Sequence, residues 1–235
     1  MTAKKLPYTD EDRIQALKHI IAQEESLDNE HSILSFQDLY EMRNFVLTYE
    51  GSFACHKQAL DDELKASTVY LEHFKTAQLY ILHFIQVLNL AIIRNEIKQE
   101  HLNFYEMSEP LDRVMPDLST EDAVLEWGDR LIKGEAERTL HGGTPIYNPA
   151  ISKVKVHLDL FKEALYSLMI FRQNTLRSQE IIKNMQERAD RSIWDTWTRV
   201  ESKYWKLPEA ERKQKLADYG VRFFYKAGEQ LHVFG

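Results

Sequence analysis

Glycine and proline are scarce in this chain, with 8 and 6 among 235 residues, about half the shares of roughly 7% and 5% in average proteins. Both residues end helices and make turns, so their shortage excludes a turn-rich sandwich, barrel or propeller. Cysteine is nearly absent. The single Cys55 excludes an intrachain disulfide and fits a reducing compartment, so a cytoplasmic location is expected. The opening MTAKKLPYTDEDR has lysines with no apolar core behind them, unlike a signal peptide. Long apolar runs are missing too. The most apolar stretch, Leu79 to Ile93, is 15 residues long and interrupted by His83, Gln86 and Asn89, whereas a membrane-spanning helix needs about 20 residues. A buried core helix with a polar stripe is therefore expected there, and no transmembrane segment.

Positive charge is also in deficit: 30 basic against 37 acidic residues give a formal charge of -7. An acidic surface offers no electrostatic footprint for DNA or RNA, which disfavours nucleic acid as a partner. What is present is a large apolar share, 43%, with 11% aromatics. That suffices for a packed core and is wrong for a disordered chain.

The turn-making residues are unevenly placed. Residues 35–98 hold no proline and one glycine, Gly51, residues 150–207 hold neither, and five of the fourteen lie between Gly134 and Pro149. The two sparse blocks carry apolar residues at alternating spacings of three and four. Leu39, Met42, Val46, Tyr49 and Phe53 begin the first, and Tyr70, Phe74, Ala77, Ile81, Phe84, Leu88 and Ala91 continue it. In the second, Ile151, Val154, Leu158, Phe161, Leu165 and Leu168 form one seam; Ile182, Met185, Ala189, Ile193, Trp197, Val200 and Tyr204 form another. This is the 3.5-residue seam of helices packed at shallow angles.

A continuous helix over either block would be roughly 90 Å long at 1.5 Å per residue. Each block, about 35–98 and 149–206, is therefore expected to fold as a helical hairpin, with turns at the polar stretches 61–68 and 172–178. Neither stretch holds a true breaker, and Glu63 and Ser67 fall in phase with the seam, so a continuous helix is the competing reading. Short helices are expected over Asp10 to Glu25, from the Ser119 and Asp122 cap to about Leu140, and from Pro208 to Tyr219 ahead of Gly220. The tail VRFFYKAGEQLHVF alternates as a small β-hairpin turning at Lys226-Ala227-Gly228. The expectation is one all-α domain over residues 1–235: a bundle of four long helices with short flanking helices, a 99–148 crossover and that C-terminal hairpin.

Chemistry-bearing patterns are sparse. A di-iron bundle site needs Glu-x-x-His on two helices and the spacing occurs once, at Glu229 to His232 in the tail, so that site is excluded, and no HExxH or paired-cysteine motif supplies a metal site. Cys55-His56 are neighbours that diverge by about 100° on a helix, so the imidazole is a poor base for the thiol. Neither a GxSxG elbow nor a phosphate-binding GK[ST] loop is present. No catalytic residue, metal or cofactor is assigned. The aromatics Trp194, Trp197, Tyr204 and Trp205 lie at helical spacing and read as packing before they read as a partner groove. The richest segment is LEWGDRLIKGEAERTLHGGTPIYNP, residues 125–149. It gathers Trp127, Arg130, Lys133, Arg138, Thr139, His141 and Tyr147 beside a glycine-rich turn. Cationic groups with aromatics suit a carboxylate, a phosphate or a peptide carbonyl. A structural crossover explains the same segment, because each punctuating residue already has a backbone role.

The stretch LEWGDRLIKGEAERTLHGGTPIYNPAISKVKVH, with HFIQVLNLAIIRNEIKQEH before it and LPEAERKQKLADYGVRFFYKAGE near the end, resembles an uncharacterised all-helical bacterial family over about residues 40 to 229. The resemblance implies a bacterial, helical, non-secreted protein and brings no activity or site residue with it. The functional expectation is a non-enzymatic helical binding or assembly protein, joining copies of itself or another protein. The alternative is a small anionic-ligand binder or enzyme using Trp127, Arg130, Arg138, His141 and Tyr147. Reversible lipid binding by opened amphipathic helices is a third reading.

Overall fold

The computed structural model describes residues 3–28, 31–108, 115–221 and 223–224. The fold is all-α. Its helices are α1 (Asp10–Glu25), α2 (Phe36–Ile93), a 3-10 helix (Gln99–Tyr105), α3 (Glu121–Leu140), α4 (Ile151–Lys203) and α5 (Glu209–Asp218). A two-residue antiparallel ladder pairs Ala3–Lys4 with Phe223–Phe224. The hairpin turn expected at Lys226-Ala227-Gly228 lies outside the described residues.

The two sparse blocks are not hairpins. α2 runs for 58 residues and α4 for 53, so two long helices stand where four were expected. The reason is that a polar residue in a seam weakens side-chain packing but leaves the backbone ladder intact, and neither 61–68 nor 172–178 contains glycine or proline. Seam phase is kept throughout. On α2 the buried Met42, Tyr49, Ala77, Phe84 and Ala91 all fall on one seven-residue register, as do Val154, Phe161, Leu168, Thr175, Ile182 and Ala189 on α4.

The chain divides into two compact units, Met1–Leu60 with Thr175–Gly235, and Asp61–Asn174. In the first, α1 buries Ile14, Leu17 and Ile20 against Met42, Phe45, Val46 and Tyr49 of α2 and Ile193, Trp197 and Val200 of α4. Fully burying each such side chain stabilises by about 1.5–3 kcal/mol. Ser35 caps α2 by accepting from the Asp38 amide at 3.1 Å, and Thr9 caps α1 through the Asp12 amide. α5 begins after Pro208, and Gly220 follows its end with φ of 77°, the left-handed conformation glycine adopts without steric cost.

In the second unit α2 contributes Ala77, Ile81, Phe84 and Leu88, the 3-10 helix Leu102 and Tyr105, α3 Val124 and Leu131, and α4 Val154, Leu158 and Phe161. The α3 cap is Thr120, which accepts from the Ala123 amide at 3.2 Å, one residue beyond the expected Ser119. The expected polar stripe splits, with Asn89 buried and His83 and Gln86 on the solvent side. α2 also contains an 18-residue window long and apolar enough to cross a membrane by length and composition alone; 44% of that window is buried inside the protein.

Candidate functional site

In the 125–149 segment the glycines serve close packing. A Cβ on Gly134 would lie 2.5 Å from Tyr105 Cδ1 and 2.7 Å from the Phe104 carbonyl oxygen, so only glycine lets the 3-10 helix approach α3 here. That approach brings Tyr105, Glu135 and Arg138 together, all at or below 1% exposure. Arg138 donates from Nε to Glu135 Oε2 at 2.9 Å and from Nη2 to Glu135 Oε1 at 2.9 Å. It also donates to the Tyr105 hydroxyl at 2.9 Å and to the Thr144 carbonyl at 2.7 Å. Glu135 further accepts from the Tyr105 hydroxyl and from the Ile146 amide. Burial, and then the bond to Glu135, push the Tyr105 hydroxyl above its ordinary range. Burial alone would lower Arg138, but its bonds to Glu135 and Tyr105 outweigh that and hold the guanidinium charged. A buried ion pair whose hydrogen bonds are this completely satisfied pins the 140–146 turn onto α3.

The other expected site residues lie elsewhere. Arg130 stacks over the Trp127 ring at 4.5 Å and pairs with Glu126 at 2.5 Å. His141 is exposed, its Nδ1 held by the Glu137 carbonyl at 2.8 Å. Tyr147 is 79% exposed, and Lys133 also faces solvent. Arg138 is thus enclosed while His141 and Tyr147 project outward. The structure brings Trp127 to Arg130 and Arg138 to Glu135, but it does not gather the five residues around one cavity. Of the double glycine that resembles a ligand loop in the sequence, Gly143 gives Arg138 room: a Cβ there would meet the Arg138 carbonyl at 2.9 Å and its Nη1 at 2.6 Å.

Among the described residues no group of three or more His, Cys, Asp or Glu is placed to hold a metal. Cys55 is exposed. His56 Nδ1 lies 2.8 Å from Ser178 Oγ, the geometry of a nucleophile and its base. Ser178, however, donates its hydroxyl to the Thr175 carbonyl at 2.8 Å. The network therefore assigns the proton of the shared bond to His56, which makes Ser178 an acceptor, the reverse of an activated serine. The tryptophans also divide: Trp197 is fully buried, with Nε1 donating to the Tyr219 carbonyl at 2.9 Å, whereas Trp194 and Trp205 are exposed.

A cavity of ligand size lies in the first unit and was missed in the sequence. It has a volume of about 480 Å³, inside the range of roughly 300–1,000 Å³ typical of ligand sites. Asp12, Gln15, Ala16 and His19 line it from one face of α1, Leu6 and Tyr8 from the segment before the helix, and Trp197 and Val221 from α4 and the turn after α5. The spacing 12, 15, 16, 19 was legible as a helix face. Nothing local said that this face meets the turn beyond α5.

Comparison with known proteins finds no matching family model, no matching curated protein and no matching solved structure.

Proposed function

We propose that this is a non-enzymatic helical binding and assembly protein that acts through the outward faces of its long helices, joining a second copy of itself or another protein. The observation that carries the reading is a set of large apolar side chains left in solvent. Leu47, Leu64 and Leu79 on α2 and Tyr166, Met169 and Leu176 on α4 are each at least 60% exposed. Single exposed apolar residues are ordinary. Tyr166, Met169 and the exposed Ile170 instead sit three and four apart, the spacing that lays side chains side by side on one helix face.

The anionic-ligand alternative over 125–149 loses its support, because Arg138 is already committed to Glu135, Tyr105 and Thr144. The lone exposed thiol of Cys55 suits a cytoplasmic setting, and a bacterial source follows the family resemblance. Sedimentation of wild-type protein and of a Tyr166→Lys/Met169→Glu variant tests the reading. Concentration-dependent association in the former, weakened in the latter, is expected. Association unchanged by the variant rejects that face.

A further inference from the structure

The geometry points to a second binding function, separate from assembly: the cavity beside α1 is a site for a small molecule that carries an ammonium group on an apolar body. Its apolar floor is rigid. Trp197 is fixed by the bond from its indole N–H to the Tyr219 carbonyl, and Leu6, Ala16, Ala217 and Val221 complete the surface on which a ring or alkyl group would lie.

The polar wall is selective in sign. Asp12 is the carboxylate in that wall, and its side chain accepts from the Thr9 hydroxyl at 3.0 Å. Among the described residues no cation pairs with it. The two acids before it are already engaged: Asp10 accepts from Tyr49 at 2.5 Å and from Gln186 at 2.9 Å, and Glu11 pairs with Lys57 at 2.7 Å. Gln15 and His19, three and seven residues on, face the same cavity and make no side-chain hydrogen bond among the described residues. A ligand ammonium would therefore find one carboxylate with no cation paired to it among the described residues, an amide oxygen and an imidazole on one helix face, and charge-assisted bonds to a carboxylate are the strong ones. A bare carboxylate ligand would face Asp12 with like charge. Lys5 also lines the cavity but already has an interaction partner, so Asp12 sets the sign that the wall favours.

The test is calorimetric titration of the full chain with three probes that share a phenyl body: phenethylamine, L-phenylalanine and phenylpropionate. Submillimolar binding of at least one ammonium-bearing probe, with phenylpropionate at least about tenfold weaker, is expected. Asp12→Asn keeps the size of the side chain and an oxygen for Thr9, and it should weaken the ammonium probes about tenfold while lowering the melting temperature only slightly, by the loss of one first-turn carboxylate. Ala16→Phe, which fills the cavity, should abolish binding by the same probes. The inference is overturned if none of the three binds at millimolar concentration, if phenylpropionate binds as well as phenethylamine, or if Asp12→Asn leaves the affinities unchanged. Self-association is read by sedimentation, so the two proposals succeed or fail separately.

Discussion

Replacing Arg138 by methionine tests whether the buried ion pair holds the second unit together. Arg138 makes four hydrogen bonds, two to Glu135, one to the Tyr105 hydroxyl and one to the Thr144 carbonyl. Methionine fills much of the volume and donates none of them. Glu135, 1% exposed, would keep only the Tyr105 hydroxyl and the Ile146 amide for its full charge. Breaking a buried pair in this way costs about 3–5 kcal/mol, a large fraction of the roughly 5–15 kcal/mol that holds a typical domain. The second half of the test is Glu135→Gln in the Arg138→Met background. It removes the stranded charge and keeps an oxygen for Ile146, so about 1 kcal/mol or more should return. In the native background the same Glu135→Gln change destabilises, because Arg138 is then the stranded charge. Urea unfolding at neutral pH, followed by both circular dichroism and tryptophan fluorescence, gives the four free energies of this cycle, provided the two probes coincide. If Arg138→Met costs under about 1 kcal/mol, or the two changes simply add, the cluster is not the lock described here.

Three further outcomes follow from the same structure. Gly51→Ala and Gly134→Ala should have opposite signs in thermal unfolding. Gly51 has nothing within 4 Å of its Cβ position, so alanine gains about 1 kcal/mol of helix propensity, whereas at Gly134 the new methyl meets the Phe104 carbonyl at 2.7 Å and overpacking costs about 1–3 kcal/mol. Equal signs would refute the packing argument. Glu24 is buried; burial alone would raise its carboxyl, but the bonds from Ser32, Tyr219 and the Leu34 and Ile33 amides outweigh that and hold it below 4.5. A depressed folded-state value means the stabilisation is present above that pH and is lost as pH falls through the lowered value. The urea midpoint of Glu24→Gln should therefore fall less steeply than wild type between about pH 5 and about pH 3, and parallel curves would contradict the assignment.

How much of this was legible in the sequence depends on how local the cause is. α1 was readable to the residue and α5 to within one residue at each end, because an amphipathic repeat, a proline and a glycine are local signals. The length of α2 and α4 was harder. The polar stretch 61–68 read as a turn, yet Glu63 within it is half-buried and pairs with Arg172 at 3.7 Å, so the seam changes chemistry without the helix ending. The 125–149 segment stood out in the sequence with two readings, a ligand site and a structural crossover. Arg138 and Gly134 answer to Tyr105, about thirty residues earlier, and only tertiary packing shows that the guanidinium is enclosed. The cavity beside α1 was invisible for the same reason, since its floor, Trp197, lies far along the chain from Asp12.

Sedimentation velocity across a concentration series from low to high micromolar tests the central claim most directly. The account predicts a sedimentation coefficient that rises with concentration, and a smaller rise when Tyr166 and Met169 carry charge. A strict monomer at high micromolar concentration would contradict it.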